Sequence, residues 1–108
     1  MAIVSLTIVP LGVEGTSLSA YVAGIHKVLE ADEAVTSGRI KETLHAMGTI
    51  LEGDLDEVWA LIRKLQEVPF EAGAQRAMTL INVDDRRDKK GTAKAKVASV
   101  RAILDQDK

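Results

Sequence analysis

The chain has 108 residues, a formal net charge of -2 and no cysteine. Its length suits one core, so residues 1–108 are expected to form a single domain. The acidic balance excludes a protein that coats nucleic acid, which needs excess Lys and Arg to displace counterions, and the missing cysteines exclude disulfides, thiol nucleophiles and thiolate metal sites.

Residues 2–9 are rich in β-branched types and run into Pro10 and Gly12, which predicts a first strand with Val4, Leu6 and Ile8 on one face. This apolar start has no basic lead and is broken by Ser5, Thr7 and Pro10, so it reads as neither a secretory signal nor a membrane span; a cytoplasmic protein is expected. Ser17 is the N-cap candidate of a helix in which Leu18, Tyr21, Val22, Ile25 and Leu29 recur at helical spacing, ending near Asp32. Gly38 opens a second strand, Arg39 to Met47, with Ile40, Leu44 and Ala46 on one face and Glu42 as the exception. Thr49 to Glu52 is the third strand. Asp54 and Glu57 form a capping-box-like pair ahead of a helix with the stripe Leu55, Val58, Trp59, Ile62 and Leu65, ended by Pro69. Arg76 to Asp84 predicts a fourth strand, apolar on both faces, and Val97, Val100, Ile103 and Leu104 mark an appended helix.

The order β-α-β-β-α-β plus a helix is that of an α+β, ferredoxin-like fold: an antiparallel sheet with two helices on one face and an appended C-terminal helix. Two helices cover only one side of a sheet. The open face is therefore expected to pack against another subunit or against the C-terminal helix.

The chemistry concentrates in Met47-Gly48-Thr49-Ile50-Leu51-Glu52-Gly53, where two glycines flank a hydroxyl and a carboxylate. Taken residue by residue, each has an ordinary reading: Thr49 as a strand former, Met47 as core filler, Glu52 as a solvated strand end, Tyr21 as part of a helix stripe and Ser17 as a cap. Asp84-Asp85-Arg86-Arg87-Asp88 matches an acidic metal-diphosphate pattern formally, but its two arginines oppose metal binding and favour a salt-bridged strand end. Seven basic residues between Arg86 and Arg101 read as solvated surface. His26 and His45 lack metal-ligand spacing, so no metal site is assigned. No nucleophile elbow is present, which disfavours catalysis, and no predicted strand carries an aromatic on which RNA bases could stack.

Taken with that element order, Met47 to Gly53, the helix segment Ser19-Ala20-Tyr21-Val22-Ala23 and the run Asp84-Asp85-Arg86-Arg87-Asp88-Lys89 resemble the thiamine-binding protein family over about residues 3–104. The resemblance implies a homo-oligomer, commonly a dimer of dimers, that binds thiamine or its hydroxymethylpyrimidine moiety without catalysis, with no cofactor, nucleic-acid or membrane partner. It implies that Glu52 meets the aminopyrimidine or the thiazolium charge, that Thr49 and a first-strand hydroxyl orient the ligand and that Met47 supplies apolar contact; by position, Thr7 on the first strand and Ser19 and Tyr21 on the first helix are candidate contacts, and Gly48 allows close approach. Gln66, and Leu44-His45-Ala46 before Met47, depart from the family pattern and leave the ligand's identity open. The alternative is a regulatory or scaffolding oligomer that pairs through its sheet face and binds no thiamine.

Overall fold

A computed structural model describes residues 1–15, 18–88 and 92–106. Its elements are β1 (Ala2–Leu11), α1 (Ser19–Ala31), α2 (Glu33–Thr36), β2 (Lys41–His45), β3 (Gly48–Gly53), α3 (Leu55–Gln66), α4 (Val68–Glu71), β4 (Arg76–Asp85) and α5 (Ala93–Gln106). The strands form one antiparallel sheet in the order β2-β3-β1-β4. The expected ferredoxin-like arrangement is present. Ser17, the expected N-cap of α1, lies outside the described residues.

Strict alternation drives β1 into the centre of the sheet. Ala2, Val4, Leu6 and Ile8 are buried against the helices, and Leu51 of β3 joins them across the ladder. From the other layer, α1 contributes Ile25 and Leu29, and α3 contributes Val58, Leu61, Ile62 and Leu65. β1 runs past its predicted end through Pro10 to Leu11, paired only with β4 over its last five residues, Thr7 to Leu11. A residue without an N–H is tolerated there because β1 has no neighbour on its other side.

Three local expectations are corrected. β2 starts at Lys41 rather than Arg39, because Ile40 turns inward as a nearly fully buried core residue and the Ile40 N–H donates to Ala34 O at 2.8 Å. Pro69 does not simply end α3; it sits in the first turn of α4, where a missing N–H costs nothing. Asp54 caps α3 by accepting from the Glu57 N–H at 3.3 Å, while the Glu57 carboxylate takes Arg39 Nε at 2.8 Å instead of completing a capping box.

The C-terminal helix does not cover the open sheet face. Every described residue of α5 is exposed or half-exposed, and Val97, Val100, Ile103 and Leu104 stay accessible, as do Met78 and Leu80 on β4. At its start, the Ala93 N–H donates to Glu52, and Lys96 pairs with Asp84. The molecule measures 50 × 31 × 19 Å.

Asp32 joins α1, α2 and α3. Its Oδ1 accepts from the Ala34 N–H at 3.0 Å, capping α2, and its Oδ2 takes Lys64 Nζ at 2.8 Å. The Lys64 hydrogen bond, aided by the Ala34 N–H, outweighs desolvation and holds the Asp32 carboxyl below the usual carboxylate range. A folded-state value below the unfolded one adds stability above the ordinary Asp range, and that stability is lost as pH falls through the folded value. Asn still caps a helix, so Asp32→Asn should lower the stability measured by urea unfolding slightly at pH 7, by under about 1 kcal/mol, and the deficit should be smaller at pH 3. An equal deficit at both pH values would show that the charge does not matter.

Candidate ligand-binding site

β3 leaves β1 after the pair Leu6 and Thr49, and the departure is built into Gly48. Gly48 has φ +153°, and a Cβ there would stand 2.7 Å from Thr7 Oγ1 and 2.8 Å from Leu6 O, so no other residue fits without moving backbone. The β2–β3 tip lies beyond the last β1–β3 pair. Thr7 Oγ1 tethers it by donating to Met47 O at 3.0 Å.

The gap between the end of β1, the hairpin tip and α1 is a cavity of about 300 Å³. That is the small end of the range for sites that hold small molecules. Leu6 to Val9 form its floor, Leu18, Val22, Ile25 and His26 its helical wall, and Leu44 to Thr49 its remaining side. A groove lined by Leu18, Ser19, Val22, Ala23, His26 and Leu44 to Ala46 continues it outward. Among the described residues lining either space there is no Lys, Arg, Asp or Glu.

Polar groups are few and held in place. Thr49 is 7% exposed, and its Oγ1 lies 2.9 Å from His26 Nε2. His26 Nδ1 in turn faces Glu42 Oε2 at 3.8 Å. Glu42, the exception in the β2 pattern, pairs with Leu51 and so lies on the helix-facing side of the sheet, toward His26. The arrangement suits a flat, largely apolar ring with a polar edge.

Of the seven residues expected at a ligand site, Thr7, Met47, Gly48 and Thr49 line the cavity, and Ser19 lines the outer groove. Tyr21 does not reach it; it lies in a separate shallow groove with Ala20, Gly24, Val68 and Ala72. Glu52 does not reach it either. It stands three residues beyond Thr49, about 10 Å along the strand and on the opposite face, where it is 2% exposed and its Oε1 accepts from the Ala93 N–H at 2.6 Å. The carboxylate thus anchors the start of α5, where an anion suits the positive end of a helix. Gln66 accepts from Thr79 Oγ1 at 2.7 Å and takes no part in the cavity. His26 and His45 line it although the sequence pattern singled out neither as a ligand contact.

At the end of β4, the acidic run is neutralised internally: Asp84 with Lys96, Asp85 with Arg87 at 2.8 Å and Asp88 with Arg86 at 2.6 Å. Lys89, the last residue of that motif, lies outside the described residues.

The family model described as thiamine-binding protein matches residues 4–101. The chain belongs to the thiamine-binding protein family. It is 47% identical to the UPF0045 protein YqgV of Bacillus subtilis, over 96% of this chain and 98% of that one. The hypothetical protein MJ1052 of Methanocaldococcus jannaschii superposes with a TM-score of 0.77 at 29% identity, covering 93% of this chain and 95% of that one. A candidate thiamine biosynthesis or salvage protein of Thermotoga maritima shares the fold, with a TM-score of 0.70 at 22% identity over 93% and 98% of the two chains. No helix of the described residues is long and apolar enough to cross a membrane.

Within this thiamine-binding family member, Glu52 is expected to act on α5 and not on a ligand. Glu52→Ala should speed hydrogen exchange in the first turn of α5 by roughly tenfold, while Glu52→Gln, which retains an acceptor, should change it less. Neither should weaken ligand binding. A large affinity loss in Glu52→Gln would return the carboxylate to the site.

Proposed function

We propose that this protein binds thiamine, or its hydroxymethylpyrimidine moiety, without catalysing a reaction. The aminopyrimidine enters the cavity, and the thiazolium or hydroxymethyl end points into the outer groove. The observation that carries this reading is the cavity at the Met47-Gly48-Thr49 turn: apolar walls with a few oriented polar groups, in a chain of the thiamine-binding family. Thr49 and Thr7 orient the ring, and Leu44, Met47 and Val22, all exposed at the rim, close over it. Because the described residues of the lining include no Lys or Arg, an unphosphorylated ligand is favoured over a phosphate ester.

Calorimetry and thermal unfolding with thiamine, its phosphates and hydroxymethylpyrimidine test this. Saturation at a hundredfold excess over Kd should add about 2.7 kcal/mol to stability. Thr49→Val should weaken binding about tenfold and should also lower the unliganded melting temperature, because it strips the His26 ring of its hydrogen-bond partner, so affinities are compared at a temperature where both proteins are folded. No response to any of these compounds would end the thiamine reading.

The exposed apolar surface supports self-association as part of the same proposal. Met78 and Leu80 on the open face and Val97, Val100, Ile103 and Leu104 on α5 are each about half exposed or more, two apolar stretches that association would cover. Light scattering is expected to give a multiple of the 11.6 kDa chain mass, consistent with a dimer of dimers, and Leu80→Asp should lower it. A monomeric wild type would remove this part. A multimer whose melting temperature ignores every thiamine compound would favour the scaffolding alternative.

A further inference from the structure

We propose that His26 is a positioning residue that sets the hydrogen-bonding polarity of the cavity, so that it accepts rings presenting an amino N–H and rejects isosteres presenting a carbonyl oxygen there. The proposal deepens the thiamine reading and rests on it for the choice of ligand.

A neutral imidazole carries one N–H and one acceptor nitrogen, and its surroundings decide which is which. Nδ1 of His26 faces Glu42 Oε2 at 3.8 Å. A carboxylate can only accept, so at this separation, longer than a direct hydrogen bond, its charge still favours the proton on Nδ1. Nε2 is then the acceptor. Its partner at 2.9 Å is Thr49 Oγ1, which must donate its single proton to it. The Thr49 oxygen therefore turns only lone pairs toward the cavity it lines.

The second cavity hydroxyl reaches the same state independently. Thr7 Oγ1 donates to Met47 O at 3.0 Å, and a backbone carbonyl can only accept. Both threonine hydroxyls of the lining thus present acceptors. A ring amine, with two N–H groups, complements them. A ring carbonyl in the same place sets acceptor against acceptor, and a polar group desolvated without a partner loses roughly tenfold to a hundredfold in affinity.

Thiamine and oxythiamine, which carries a carbonyl in place of the pyrimidine amine, are the probes. Calorimetry on the wild type should show at least about tenfold preference for thiamine. His26→Leu frees the Thr49 proton to meet the carbonyl, and the preference should fall at least about fivefold. Glu42→Gln, at a partly exposed position, removes the anion that selects the tautomer and should lower the preference in the same direction even if His26→Leu fails to fold. A preference unchanged in the folded variants would overturn the proposal and leave the thiamine reading standing.

A ligand-independent readout separates the two. Long-range proton–nitrogen NMR of the unliganded protein, with His45→Asn for assignment, should find the His26 proton on Nδ1. A proton on Nε2 would overturn the proposal whether or not thiamine binds. If the wild type binds neither compound, the thiamine reading fails, and the tautomer alone decides the polarity of the cavity.

Discussion

Pairing between β1 and β3 ends at Leu6 and Thr49, while β1 continues to Leu11 against β4 alone. The site depends on that early end. Had β3 followed β1 for two more residues, the sheet would close the gap that α1 now bounds. Gly48 forces the departure by bringing hairpin backbone so near Leu6 O and Thr7 Oγ1 that no side chain fits between them. The bond from Thr7 to Met47 O then keeps the tip from swinging free. One close approach and one tether convert the end of a ladder into a cavity.

The two threonine hydroxyls of that cavity are already engaged by neighbouring groups. His26 bridges Glu42 and Thr49, and Thr7 is committed to Met47, so both threonine hydroxyls have a partner before a ligand arrives. Among the described residues, no buried side-chain nitrogen or oxygen lacks one. A ligand entering such a site orders few side chains, which is the main way a small pocket keeps its affinity. The apolar remainder of the lining supplies area without constraining orientation.

Much of this was legible in the chain because two periods were clean. The period of two in β1 and the helical stripes in α1 and α3 placed the core and the topology, and the close spacing of Met47, Gly48 and Thr49 placed the turn of the cavity. Glu52 lies away from the cavity because three residues of paired strand carry it about 10 Å past Thr49 and onto the opposite face, far from the end of the β1–β3 ladder where residues of both faces meet. Helical geometry separates Tyr21 from the site in the same way. Tyr21 and His26 lie five residues apart, about 140° around α1, whereas Val22 and His26, four apart, share a face. The inward Glu42 was the available sign of His26, because an acid breaking an apolar strand face needs a partner on the layer above. What no period could show is the early parting of β1 and β3, which rests on the close approach of Gly48 to the Leu6 backbone, 42 positions away in the chain.

The same parting joins the cavity to the open face. Along most of β1 the two sides of the sheet are separate, with Val4 and Leu6 turned to the helices and Ile3 and Ser5 turned away. Past Leu6 there is no β3 to divide them, and Thr7 and Val9, which belong to the open face by alternation, line the cavity as well. Their partners across β4 are Leu80 and Met78, the exposed apolar residues of that face. Any subunit covering Met78 and Leu80 therefore lies beside two cavity-lining residues. Leu80 thus has a short route to its partner Thr7, and through that hydroxyl to the hairpin tip, without crossing the core.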